Sequence, residues 1–292
     1  MITIFTPTYN RKKYLYKLKN SLDRQTDKDF EWVVVDDGSS DGTEDEVKSW
    51  KKSNLDYEIK YVKQENQGKH IAFNLGVRNA SYSWIICVDS DDTLTDDAVM
   101  IINHDIQKIS YREVGIVYPQ IMNGGKSDDK LWKKIDNTEL DIMDLHDLYH
   151  INESAIVMRK NIISKYQFPK YGNEKFLPES WLYQKLIAEG KFWALNKPLY
   201  CSKYLKNGLT NNIWKLWKNN PNGVLNILKE QYYLISQKYK RKYRFINHLK
   251  CIINLNTLCM VTNKNFLQET PSKFLSLITY FPSLYFVKLR YR

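Results

Sequence analysis

Residues Glu31 to Thr43 read EWVVVDDGSSDGT. The run Trp32 to Val35 is continuous and rich in β-branched side chains, as expected of a strand covered on both faces. It stops at two carboxylates, Asp36 and Asp37, and then at a turn marked by Gly38 and Gly42. The next segment, TEDEVKSW, opens with acids that suit the positive end of a helix; Asp41 is the expected N-cap. A doubly covered strand, a polar turn and a helix make the repeating unit of a parallel sheet, because parallel neighbours need a crossover.

The same unit recurs on both sides. ITIFTPTY (2–9) is a strand that meets a turn signal at Pro7. RKKYLYKLKNSL (11–22) follows, with apolar residues Tyr14, Leu15, Leu18 and Leu22 at helical spacing. YEIKYVKQ (57–64) alternates as a third strand, and GKHIAFNLGVRNA (68–80) has Ile71, Leu75 and Val77 near helical spacing. YSWIICVD (82–89) is the fourth strand and TDDAVMIINHDIQKI (95–109) the next helix. EVGIVYPQI (113–121) and ESAIVMRK (153–160) read as further strands. The polar stretch Asn123 to Asp147, with Gly124-Gly125, is expected to be an irregular insertion or hairpin. The fold class is α/β: a Rossmann-like, mixed but mainly parallel sheet flanked by helices. From about Asn211 the pattern changes to a basic helical region, with no Gly or Pro between Gly223 and Val261.

Composition narrows the function. The chain has 292 residues, 43% of them apolar, which suits a globular protein. No segment reaches the roughly 18 consecutive apolar residues of a spanning helix. The opening MITIFTPTYN has no basic leader followed by an apolar core, so a cytoplasmic location is expected. Cys87, Cys201, Cys251 and Cys259 have no CxxC spacing and read as reduced packing residues. The net charge of +11 is uneven: residues 1–200 sum to −3, and residues 201–292 carry 16 Lys and Arg against Glu230 and Glu269 alone. Two regions with different partners are implied.

Polar residues collect where the strands end: TPTYN after the first, DDGSSDG after the second, DSDD after the fourth. Open parallel sheets bind ligands outside the carboxyl ends of their strands. Asp89, Asp91 and Asp92 place three carboxylates within four positions. Like charges about 4 Å apart repel by about 4 kcal/mol at an effective dielectric near 20, so such a knot is either exposed or holds a cation. In extended backbone Asp89 and Asp91 face the same side, where Mg²⁺ or Mn²⁺ could bridge them to a diphosphate. The plainer alternative is that Asp92, Asp96 and Asp97 only favour a helix N-terminus; it is adopted for Asp96 and Asp97, while metal and nucleotide binding is favoured for Asp89 and Asp91.

Taken together, FTPTYNR, VVVDDGSSDGT, ENQGKHIAFNLGV and ICVDSDD resemble, in order, the nucleotide-sugar-binding half of the family 2 glycosyltransferases, of GT-A fold. The resemblance covers roughly the first hundred residues. It implies an inverting sugar transfer from a nucleoside-diphosphate sugar, usually a UDP-sugar, with Mn²⁺ or Mg²⁺. It implies that Pro7, Thr8 and Tyr9 line the base pocket, that Asp36 accepts from the base and that Asp37 supports the turn. Gly68, Lys69 and His70 would lie near the base or phosphates. Asp89 would meet the ribose or a metal-bound water, and Asp91 would bind the metal and serve the chemistry. Many relatives carry Arg where this chain has Phe73; Lys69 could supply that charge.

On the acceptor side the resemblance points to KFLPESWLYQKLIAEG (175–190). Inverting transfer needs a base for the acceptor hydroxyl. Glu179 fits that position, with Glu174 as substitute, although Ser180 stands where Asp is often found. Glu179 behind Pro178 equally describes an ordinary helix start. Trp181 could stack on a sugar or belong to the core. Lys203, Lys206 and Asn207 could approach the diphosphate. The expected organisation is a GT-A catalytic domain over residues 1–210, halved near 100 into donor and acceptor parts, then the basic region 211–292.

The basic third, with QKYKRKYRF (237–245) and FPSLYFVKLRYR (281–292), suits an anionic membrane surface presenting a lipid-linked glycan acceptor. A helical homo-oligomer or a solvated tail is the alternative. Nucleic acid is disfavoured, since no recognised binding signature is present. NGGKS (123–127) lacks the first Gly of a P-loop, Gln120 standing there. DDGSSDG lacks the glycine spacing of a methyltransferase loop. A different class stays open: a catalytically silent GT-A-like protein acting as a basic membrane- or nucleic-acid-binding module.

Overall fold

The computed structural model describes residues 1–122, 129–202, 208, 210–238 and 241–291. The chain divides into two compact units, one of residues 1–169 and 185–204, the other of residues 170–184 and 205–292.

In the first unit, β1 (Ile2–Thr8), α1 (Lys12–Asp23), β2 (Phe30–Asp36), α2 (Thr43–Lys52), β3 (Glu58–Lys63), α3 (Lys69–Asn79) and β4 (Trp84–Cys87) alternate as their periodicities predict. β2 runs parallel to β1 and β3, and β1 parallel to β4. Every residue of β1 and β2 is buried, which is why both read as unbroken runs rather than alternating ones. Ile4, Leu18, Trp32 and Val34 belong to one core with Val99 and Ile102. Gly76 of α3 lies against the Phe5 ring, so a side chain there would collide with β1.

β5 (Thr93–Leu94), α4 (Ala98–Asp105), β6 (Glu113–Met122), α5 (Asp129–Ile135), β7 (Thr138–Leu140), α6 (Ile142–Asp147), β8 (Ser154–Arg159) and α7 (Lys160–Ile163) follow. After α8 (Ser180–Leu186) come β9 (Lys191–Ala194) and β10 (Tyr200–Ser202). The strand order is β3-β2-β1-β4-β8-β6-β10-β5, with β9 between β6 and β7. β8 is antiparallel to both β4 and β6, so the sheet is mixed.

Two local expectations are corrected. Residues 129–147 are not an irregular hairpin: they form α5, β7 and α6, anchored by buried Trp132, Ile135, Leu140, Ile142 and Leu145. These elements are too short to show a period. Gly42, in the left-handed region at φ 83°, is the N-cap of α2 in place of Asp41. Asp41 sits one residue earlier, and its Oδ1 accepts from the Thr43 hydroxyl at 2.6 Å and the Thr43 N–H at 3.2 Å.

The second unit contains α9 (Ile213–Asn219), α10 (Pro221–Lys238), α11 (Arg241–Val261), α12 (Phe266–Glu269), α13 (Lys273–Ile278) and α14 (Tyr280–Arg290). Val224, Leu225, Leu228 and Ile235 of α10 share a core with Cys251, Leu255, Leu258 and Cys259 of α11. All four cysteines are free thiols, and burial pushes Cys251 and Cys259 up to about 12, as inert packing residues require. No helix among the described residues is long and apolar enough to cross a membrane.

Candidate active site

The register sets the carboxyl ends of the parallel strands side by side: Thr8 pairs with Asp36, and Asp36 with Lys63. β4 joins them through Phe5 and Cys87, and the Val88 N–H donates to the Phe5 carbonyl at 2.9 Å. The loops after β1, β2, β3 and β4 therefore leave the sheet along one edge.

The first two loops are zipped together. Asn10, at φ 51°, donates its N–H to Ser39 Oγ at 2.9 Å and accepts from the Ser40 N–H at 2.8 Å. Asp41 Oδ2 accepts from the Lys12 N–H at 2.9 Å. Asparagine tolerates the left-handed backbone that this contact needs. Asp36 is fully buried; its Oδ1 accepts from the Ser39 N–H at 2.7 Å and its Oδ2 from the Tyr61 hydroxyl at 2.5 Å. Asp37 clamps the loop ahead of α3. It accepts from Gln64 Nε2 and from the N–H groups of Gln67 and Gly68, all within 2.8 Å. Gly68 takes φ 95° there, which a side chain would resist. Pro7 is the sixth residue of β1 and pairs with Val35, Tyr9 is half exposed, and His70 is buried in the first turn of α3. Thr8 Oγ1 is buried with no hydrogen-bond partner among the described residues.

The acidic segment is a turn, not extended backbone. The Asp92 N–H donates to the Asp89 carbonyl at 3.0 Å, so the expectation that Asp89 and Asp91 share one side by strand alternation is corrected. Each carboxylate has its own partner. Lys69 Nζ lies 2.7 Å from Asp89 Oδ1 and 2.8 Å from Oδ2. Arg11 Nη1 lies 2.6 Å from Asp91 Oδ1. Asp92 is buried and accepts from the Tyr200 hydroxyl at 2.9 Å, while the Asp89 N–H donates to that same hydroxyl at 3.0 Å. Burial, then the charge of Asp89, pushes Asp92 up to about 7, against the opposing Tyr200 bond. Asp92 is thus a buried polar anchor rather than an ordinary helix-start acid. Asp97 is the N-cap residue of α4, and Asp96 pairs with Arg24 at 3.0 Å.

Arg11, Tyr61 and Tyr200 join the site through contacts that no local sequence pattern marks. Arg11 follows the TPTYN turn, and its partner Asp91 lies 80 residues further along the chain. Tyr61 stands level with Val34 in the neighbouring strand, two residues before Asp36, a relation that only the register reveals. Tyr200 is separated from the turn by more than a hundred residues. Phe73 makes an edge contact with Phe5 at 4.9 Å, which explains an aromatic at that position.

In the second unit Glu179 immediately precedes α8, and its Oε2 accepts from the Tyr183 hydroxyl at 3.0 Å. Pro178 also precedes the helix instead of forming its first residue. Trp181 is buried. Glu174 accepts from the N–H groups of Asn222 and Gly223 at 2.8 and 2.9 Å, which caps the start of α10. Lys203, Lys206 and Asn207, the NGGKS stretch and part of QKYKRKYRF lie outside the described residues. Among the described residues no three His, Cys, Asp or Glu side chains are gathered as a metal cage. The oxygen donors of Asp89 and Asp91 nevertheless suit a hard cation that takes its other ligands from phosphates and water.

A mixed, mainly parallel sheet flanked by helices, with polar loops converging on one edge, is the arrangement of a GT-A fold. The family model for glycosyl transferase family 2 matches residues 3–167, and the chain belongs to that family. Glycosyltransferase GlyA of Streptococcus pneumoniae is 29% identical over 229 residues, 73% of this chain and 32% of that protein. Abequosyltransferase RfbV of Salmonella typhimurium is 31% identical over 157 residues, 49% of this chain and 46% of that protein. The chain therefore spans about a third of the one and under half of the other. Among solved structures, S. aureus TarS in complex with UDP superposes with a TM-score of 0.58 at 19% identity, over 99% of this chain and 88% of that one. Mannosyltransferase PcManGT from Pyrobaculum calidifontis, in complex with GDP-Man and Mn²⁺, gives 0.54 at 16% identity, over 99% and 83%. At these identities the two structures show a shared fold.

Proposed function

We propose that the protein moves a sugar, with inversion, from a nucleoside-diphosphate sugar to a hydroxyl of a glycan or lipid-linked acceptor in bacterial surface polysaccharide synthesis. A UDP-sugar is the favoured donor. The observation that carries this reading is the meeting of Thr8, Asp36, Lys69 and the 89–92 turn at one sheet edge, each on a separate motif. TarS, which shares the fold, is known in complex with UDP, and RfbV is named for transfer of a sugar.

In this reading Pro7, Thr8 and Tyr9 line the base pocket, and Thr8 Oγ1 gains from the nucleotide a partner that the described residues do not supply. Asp36 accepts from the base, most readily uracil N3–H, with Tyr61 and Ser39 holding its carboxylate in place. Asp37 fixes the loop that carries Gly68, Lys69 and His70 toward the nucleotide. Asp89 and Asp91 would hold Mn²⁺ or Mg²⁺. Such an ion, when bound, neutralises charge developing on the departing diphosphate. Arg11 and Lys69, now paired to those acids, bring two cations to the same place. Glu179 takes the proton from the attacking hydroxyl, and its carboxylate is oriented by Tyr183. The second partner is an anionic membrane surface, at the inner face of the cell membrane, supported by the 16 cations of residues 201–292.

Titration calorimetry with UDP tests the donor site. The wild-type chain is expected to bind UDP more tightly with Mn²⁺, and Asp91→Ala to lose that metal-dependent gain. No nucleotide binding under either condition would instead favour a silent GT-A-like binding module, which the Ser180 departure also suits.

A further inference from the structure

The last two helices have their packing reversed. α13 and α14 meet at Thr279, the end of one and the start of the other, and the Thr279 N–H to Leu275 and Ser283 N–H to Thr279 bonds, at 3.0 and 2.9 Å, carry the helical period through the junction. At about 100° per residue, Phe274, Leu277, Ile278, Phe281, Tyr285 and Leu289 fall on one side. That side is open: Phe274 is 71% exposed, Phe281 78% and Tyr285 63%. The opposite side carries Ser276, Thr279 and Ser283, all buried.

The buried side is held through polar contacts. Asn256 Nδ2 of α11 donates to the Ser276 carbonyl at 2.9 Å and to Thr279 Oγ1 at 3.2 Å. Arg290 Nη1 donates to Asn254 Oδ1 at 2.7 Å, and its guanidinium lies 4.1 Å over the Trp214 ring. An ordinary surface helix turns its apolar stripe inward and its polar side to water. Here small polar residues allow close approach to α11, and six bulky apolar side chains are presented outward.

We propose that this outward face of α13 and α14 seats the protein in the surface of an anionic lipid bilayer. The inference rests on the membrane reading of the basic third given above and not on the transferase chemistry. Charge selects the occupant. Residues 201–292 carry 16 Lys and Arg and two acids, and Lys273 and Lys288 flank or interrupt the stripe itself. Two copies meeting on this face would oppose like charge, whereas anionic headgroups complement it. Tyr285 and the Lys stems match the amphipathic boundary between headgroups and acyl chains.

The test uses the full chain and vesicles of phosphatidylglycerol and phosphatidylcholine. Wild type is expected to co-sediment, with a fraction that survives high salt because apolar contact is not screened. The triple variant Phe281→Ser, Tyr285→Ser, Leu289→Ser should lower the partition coefficient by roughly tenfold or more while its thermal midpoint stays near wild type. Oxidative footprinting of wild type should show Phe274, Phe281 and Tyr285 protected by vesicles, which tests the face without a variant. Binding of wild type and variant alike, with those residues unprotected, overturns this face but leaves the membrane reading standing. A wild-type chain that never sediments with anionic vesicles overturns both. A dimer in sedimentation equilibrium that the triple variant abolishes, with no vesicle protection, assigns the face to a second copy and overturns the proposal.

Discussion

Tyr200 grips the acidic turn at both ends, accepting from the Asp89 N–H and donating to the Asp92 carboxylate. Burial and the two nearby carboxylates hold its own hydroxyl firmly protonated. Tyr200→Phe removes a donor and an acceptor at once and leaves buried groups unpaired, which costs about 1–3 kcal/mol. The expected outcome is a lower thermal midpoint and several-fold weaker metal-dependent UDP binding. A variant with wild-type UDP affinity would show that the turn holds its shape without the tyrosine. For the acceptor side, Glu179→Gln is expected to keep UDP affinity and to lower turnover by about 10²-fold or more. Equal turnover would remove Glu179 from the role of base. At this scale the sequence displayed the acids but not their partners. Asp92 looked like one more helix-start carboxylate, because nothing local marks a group that is buried by a strand a hundred residues away.

Among the elements, β2 depends on a buried charge. Glu31 lies inside β2, is fully buried, and pairs with Lys60 of β3 at 2.6 Å and with the Thr3 hydroxyl of β1 at 2.5 Å. Burial pushes its carboxyl up, but Lys60, Thr3 and the Ser81 N–H outweigh that and hold it below its ordinary 4.5. A carboxyl with a depressed folded-state value adds stability above its unfolded value and loses it as pH falls through the folded one. Glu31→Gln is therefore expected to destabilise the fold by about 1–3 kcal/mol at neutral pH, with the gap shrinking as pH falls below the ordinary 4.5 and through the depressed folded-state value. Chemical denaturation at neutral and at acidic pH checks it; a gap independent of pH would mean that packing, not charge, is what Gln disturbs. The alternating strands and helices of the first hundred residues were readable because each carries its own period and turn residues. α5 and α6 were not, since seven and six residues provide too few apolar positions for a period to emerge.

Across the whole molecule, charge is segregated: residues 1–200 sum to −3 and residues 201–292 to +14. If the basic third meets an anionic surface, its electrostatic and apolar contributions should separate by salt. Lys273→Glu with Lys288→Glu is expected to weaken vesicle binding several-fold at low ionic strength. That loss should vanish near molar salt, where the screening length is about 3 Å. A loss unchanged by salt would show that the substitutions had damaged the fold. Sequence alone determined the α/β class, the order of the four motif blocks and the family they resemble, because hydrophobic period and turn chemistry act over a few neighbouring residues. Tertiary structure decided which cation meets which carboxylate, that Tyr200 closes the acidic turn, and that the final helices bury their small polar side. Those outcomes depend on groups far apart in the chain, whose burial and pairing exist only once the sheet register and the α11 contact have brought them together.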